Sequence, residues 1–152
     1  MSTHYRHTQF GRVWMVVMGF VLLVIVMVLL ELPPGPPRSV VAAFILFPIV
    51  LGVLFTSVTT IVTEAEFVHY FGPGFWRKRI ALSDIVSFAQ VRNKWWYGFG
   101  IRYTPHGWLY NVWGLEAVEC RLQSGRTFRV GTDEPRELIE ALERARGPST
   151  TA

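Results

Sequence analysis

Cysteine is nearly absent from this chain. The single Cys120 excludes an internal disulfide framework and fits a reducing compartment. Acidic residues are scarce at the front, where Glu31 is the only carboxylate before Glu64. No Cys/His/Asp spacing suggests a metal site, and no Ser-His-Asp order or paired-carboxylate arrangement can be assembled. Gly98-Phe99-Gly100-Ile101-Arg102-Tyr103 begins like a dinucleotide fingerprint, but Tyr103 stands where the third glycine belongs and no helix signal follows. Those glycines are read as turn geometry between aromatic neighbours. The sequence therefore offers no catalytic residue, no metal ligand and no cofactor site.

Long apolar runs are abundant. Val13–Leu30 and Val40–Phe55 carry no charge, and Glu31-Leu32-Pro33-Pro34-Gly35-Pro36-Pro37-Arg38 between them reads as non-helical. At ~1.5 Å per residue an 18-residue helix covers about 27 Å, close to the ~30 Å hydrocarbon core. Spans are expected at about 13–31 and 39–57, with the loop 32–38 outside, so that 13–58 forms a transmembrane hairpin. The first run is too long for a signal peptide and lacks a small-residue cleavage site, so it reads as an uncleaved anchor. Pro48 should kink the second span or loosen one turn. Neither span contains GxxxG, and neither carries an intramembrane ionisable group of the kind transport needs. Arg6 and Arg12 precede the first span, while Arg77, Lys78 and Arg79 follow the second. The positive-inside rule then puts both termini in the cytoplasm, and the chain is expected in the inner membrane as a multi-pass protein. Phe10 and Trp14 suit the inner interface. Residues 1–12 are expected to be a mobile cytoplasmic tail holding His4 and His7, and 147–152 a disordered tail.

The rest, 56–146, alternates like a small sheet domain. Strands are predicted at 56–63, 66–71, 75–81, 85–92, 108–112, 116–122 and 126–130, with 93–105 a long aromatic connection that holds some strand. An amphipathic helix follows over 134–144, capped by Thr132 or Asp133, with Pro135 in its first turn. Val118, Cys120 and Leu122 share one strand face, so Cys120 is expected to be a buried structural thiol. His69 and His106 stand alone.

Seven strands and a C-terminal helix imply a bent sheet plugged at its open end, which resembles a pleckstrin-homology-like (PH-like) barrel. Gly107-Trp108-Leu109-Tyr110-Asn111-Val112, the Ser124-Gly125-Arg126 turn and Gly131-Thr132-Asp133-Glu134-Pro135, with Phe71-Gly72-Pro73-Gly74, strengthen this. The chain resembles uncharacterised bacterial two-span membrane proteins that carry a PH-like domain. That resemblance implies an α+β membrane protein and no assigned activity. Phosphoinositide binding does not carry over, because the first hairpin loop, Thr63-Glu64-Ala65-Glu66, is acidic.

Two surface features suggest partners. Arg77, Lys78 and Arg79, with Arg92 and Lys94 on the next hairpin arm, are candidates to face anionic lipid headgroups at about 1 kcal/mol per cation. On a strand, Arg77 and Arg79 share one side and Lys78 takes the other. Trp95, Trp96 and Tyr97 are candidates for a protein interface. Residues 74–132 hold nine Lys/Arg against three Asp/Glu, and residues 133–146 five acids against three bases. This alternation argues against a nucleic-acid surface. The expected function is a non-enzymatic membrane protein that presents its domain for protein interaction or self-assembly. The alternatives are an anionic-lipid-sensing or membrane-orienting module and, more remotely, a membrane-associated enzyme.

Overall fold

A computed structural model describes residues 3–74 and 76–147. Strand β1 (Thr3–Phe10) runs through Gly11 into helix α1 (Arg12–Glu31), and helix α2 (Pro36–Phe55) returns through Thr56 into β2 (Ser57–Thr63). Both helices are long and apolar enough to cross a membrane, and among the described residues they are left largely uncovered: α1 has no buried residue and α2 only Pro48. The helix α2 is continuous through Pro48. The link between the helices is shorter than the composition suggests. Glu31 belongs to α1, and Pro36-Pro37-Arg38 form the first turn of α2. Proline is accepted there because a first-turn N–H has no intrahelical partner to lose.

The N-terminal segment is not a mobile tail. Thr3–Phe10 forms an antiparallel edge strand on β2, with Arg6 opposite Ile61 and Phe10 opposite Ser57. Gly11 donates its N–H to the Thr56 carbonyl at 2.7 Å, immediately below the helices. Single residues thus join each helix to its strand, so the hairpin and the sheet share one base.

β3 (Glu66–Phe71) and β4 (Trp76–Ala81) complete a four-stranded antiparallel sheet in the order β1-β2-β3-β4. Of the segment predicted as the third strand, Phe75 lies outside the described residues. A 3-10 turn, Leu82–Asp84, leads into β5 (Ile85–Arg92) of a second sheet. That sheet also contains β6 (Gly100–Thr104), β7 (Gly107–Asn111), β8 (Glu116–Leu122) and β9 (Thr127–Gly131). Its order is β5-β8-β9-β7-β6, and β7 and β9 run parallel.

Nine strands are described where seven were expected. The additions are β1 and β6, the latter within the aromatic connection. The residues from 148 onward, expected to be a disordered tail, lie outside the described ones.

The core lies between the sheets. Val58, Val62, Phe67 and Phe71 of the first sheet meet Val118, Cys120, Phe128 and Val130 of the second. Helix α3 (Pro135–Arg146) packs on β1, β2, β5, β8 and the Leu82–Asp84 turn, and buries Leu138, Ala141 and Leu142. These fall on one face at i, i+3 and i+4, the spacing of an amphipathic helix. Glu134 occupies the N-cap position without capping. Thr132 Oγ1 instead accepts the Glu134 N–H at 3.1 Å, and Asp133 turns to His7 at 2.7 Å.

Candidate functional site

Two cavities lie at opposite ends of the domain. The first is at the junction with the hairpin and measures about 310 Å³. Its roof is the first turn of α1 (Val13, Trp14) and the last turns of α2 (Leu51, Phe55). Its floor is the start of β6, with Phe99, Ile101 and Arg102, and the exit of β7, with Val112 and Trp113. Phe99 stacks on Trp113 with ring centroids 5.6 Å apart. Gly11 brings the floor close to the helices, since a Cβ there would stand 3.0 Å from the Val112 carbonyl. The walls are apolar except for two donors. The Trp14 indole Nε1 is cut off from solvent with no acceptor. Arg102 is exposed and binds the Phe99 carbonyl through Nε at 2.9 Å.

The second cavity, about 470 Å³, opens at the far end beside the edge strand β4. Lys78 of β4 faces Tyr103, Trp108 and Phe128 of the second sheet, and Arg126 of the turn before β9, across it. Tyr103 and Trp108 meet edge to face at 5.4 Å and are 75% and 45% exposed, far more than a core pair would be. Among the described residues no carboxylate pairs with Lys78 or Arg126.

The predicted basic cluster is divided. Only Arg77 and Arg79 point outward: Arg77 lies over the Tyr70 ring at 4.8 Å, and Arg79 is 4.0 Å from Glu66. Lys78 turns inward, donates to Tyr110 Oη at 3.2 Å and sits over the Tyr110 and Phe128 rings, so it is withdrawn from any lipid surface. Arg92 and Lys94 belong to the second sheet and its exit rather than to a hairpin arm beside β4, because the chain changes sheets at Leu82–Asp84. Arg92 is 3.8 Å from Glu116, and Lys94 lies over the Trp96 ring.

The aromatic trio forms a 3-10 turn, Trp95–Tyr97. Trp95 and Trp96 are 75% and 59% exposed, whereas Tyr97 is half-buried near the His106 ring. The turn is anchored from Asn93, whose Oδ1 accepts from Arg129 at 3.1 Å; Arg129 in turn holds Glu119 at 2.7 Å. Sequence patterning did not single out Arg129, because a lone arginine in a strand reads as a solvated side chain.

Two residues with potential chemistry are sealed in the core. Cys120 is fully buried, and burial, with Glu119 nearby, pushes its thiol up to about 12. His69 is fully buried with neither ring nitrogen partnered. Burial, aided by Lys78, lowers it from 6.5 to about 3. Both are held neutral, a poor state for a nucleophile or proton carrier.

No protein-family model, no curated protein and no solved structure matches the chain. The fold and the cavities define an α+β protein with two candidate membrane helices and a two-sheet domain closed by a C-terminal helix.

Proposed function

We propose that this is a non-enzymatic integral membrane protein that presents a PH-like domain at the cytoplasmic face for protein interaction. The supporting observation is the far-end cleft. An exposed aromatic pair and two cations without carboxylate partners among the described residues lie beside β4, the last strand of its sheet. Such a site suits an extended acidic segment that adds to β4 through its backbone and places carboxylates near Lys78 and Arg126. The hydrogen-bonded base at Gly11 and Thr56 would hold that cleft facing away from the bilayer. The two-sheet core with a helix across one opening supports the PH-like reading and the kinship with bacterial two-span proteins. The β1–β2 pairing supports an even number of crossings. The loop charges support cytoplasmic termini, and the likeness to bacterial two-span proteins supports the inner membrane.

Photocrosslinking from positions 103 and 95 in native membranes tests this reading. A discrete protein adduct at 103 that is lost in Lys78→Glu/Arg126→Glu supports the cleft. An adduct at 95 only would move the interface to the Trp95–Trp96 turn, and a dimer adduct would make the partner a second copy. No adduct above that from the exposed α3 position 140 would sink the proposal. Cysteine labelling of Pro34→Cys and Glu140→Cys in a Cys120→Ala background tests the orientation: the first should label from outside and the second only after permeabilisation.

A second reading, orientation by anionic lipid, is favoured by Trp76 and Arg77. They follow the Gly72–Gly74 turn, which packs under the end of α2.

A further inference from the structure

We infer that the junction cavity binds one anionic phospholipid from the leaflet adjoining the domain. Three observations support this. First, the cavity is roofed by the end turns of two helices whose other faces are uncovered and apolar. With those helices in a bilayer, its mouth opens at the headgroup layer, where lipid is the solvent. Second, its walls are amphipathic in the lipid sense: aliphatic and aromatic side chains inside, and one exposed guanidinium at the rim. The Arg102 Nε is committed to the Phe99 carbonyl, which fixes the guanidinium and leaves its terminal nitrogens for a phosphate. Third, the Trp14 indole N–H is buried with no acceptor. A buried donor without a partner calls for one, and the ester carbonyls of a glycerolipid lie a few bonds from its phosphate. The volume, about 310 Å³, is at the small end of ligand pockets, ~300–1,000 Å³. It suits the glycerol region and upper part of a chain, with the remainder left in the bilayer.

This site is separate from the far-end cleft and does not depend on the adaptor reading. It requires only that the hairpin cross a bilayer, which carbonate extraction checks independently.

The test is native mass spectrometry of the full chain, purified in mild detergent and equilibrated with equimolar phosphatidylglycerol and phosphatidylcholine. The wild type should keep one phosphatidylglycerol with about tenfold preference. Arg102→Gln should reduce the preference to parity. Val13→Trp, at a half-exposed position where added bulk need not disturb the fold, should abolish retention by filling the cavity. Arg77→Gln/Arg79→Gln should leave the preference unchanged. Equal retention of both lipids by the wild type, an unaltered preference in Arg102→Gln, or a preference that follows Arg77 and Arg79 would each overturn the inference. Competition by inorganic phosphate or a fatty acid as effective as that by phosphatidylglycerol would also overturn it, by showing that the intact lipid is not what is recognised.

Discussion

His7 stands between two carboxylates at the start of α3: its Nε2 is 2.7 Å from Asp133 Oδ1 and its Nδ1 is 3.1 Å from Glu134 Oε2. The strand that precedes the hairpin is thereby fastened to the helix that ends the domain. Tyr5 reinforces the joint by donating to Glu134 Oε2 at 3.3 Å, and its phenol is pushed above its ordinary range by burial and by that carboxylate. Because Asp133 and Glu134 are 59% and 41% exposed, solvent weakens both contacts. His7→Ala should cost only about 0.5–1 kcal/mol. Thermal unfolding should show this small loss, and trypsin cleavage after Arg6 should accelerate as the strand detaches. An unchanged cleavage rate would mean that pairing with β2 alone holds β1.

Gly72 is the tightest point beneath the hairpin. It has φ +50, and a Cβ would run into the Val53 and Leu54 carbonyls at the end of α2. Those atoms are backbone and cannot step aside. Gly72→Ala should therefore cost more than about 2 kcal/mol, combining left-handed strain with the clash. Gly125→Ala, also at positive φ but in open space, should cost about 1 kcal/mol. Melting midpoints of the two variants in the same detergent measure the difference.

The acid sensitivity of the fold should trace to His69. Below pH 6.5 the unfolded chain takes up a proton that the folded chain refuses until about pH 3. Stability from this residue is present above pH 6.5 and is lost as the pH falls through that window, by about 1.4 kcal/mol per unit. His69→Phe keeps a ring among Phe67, Tyr110 and Phe128 and should flatten the wild-type slope between pH 6 and 4. Parallel slopes for the two proteins would show that other groups dominate acid unfolding.

Cys120 should be chemically silent in the folded protein. Its thiol is buried and shifted up to about 12, mainly by desolvation. Maleimide at neutral pH should leave the native protein unlabelled and modify it fully in denaturant. Rapid native labelling would mean that β8 opens locally far more often than its central place, between β5 and β9, allows.

Much of the domain was legible from local chemistry. The observed bounds Glu66–Phe71, Ile85–Arg92 and Glu116–Leu122 match the expected strands to the residue, because short β-rich runs there end at glycine, proline, serine or aspartate turns. β1 was not legible. His4-Tyr5-Arg6-His7-Thr8-Gln9 has no apolar alternation, and its burial comes from β2 on one side and α3 near it. β6 was obscured by Gly98 and Gly100, which read as loop, although Gly100 starts an edge strand in which Gly100 and Ile101 pair with Asn111 and Tyr110. The basic cluster was read correctly in strand phase, with Lys78 opposite Arg77 and Arg79. What that phase meant was not visible, since a lysine facing inward onto Tyr110 is a contact between sheets.

By itself the sequence determined two uncharged runs of near-bilayer length, an alternating β-rich segment and one amphipathic helix. These depend on hydrophobicity and on periods of 2 and 3.6, which neighbours in the chain express. Tertiary structure alone decided that the N-terminus returns as a strand on β2, that β7 lies parallel to β9, that Lys78 turns inward, and that a cavity forms under the hairpin. Each of these joins residues far apart in the chain, and such pairings are set by which surfaces the folded sheets bring together.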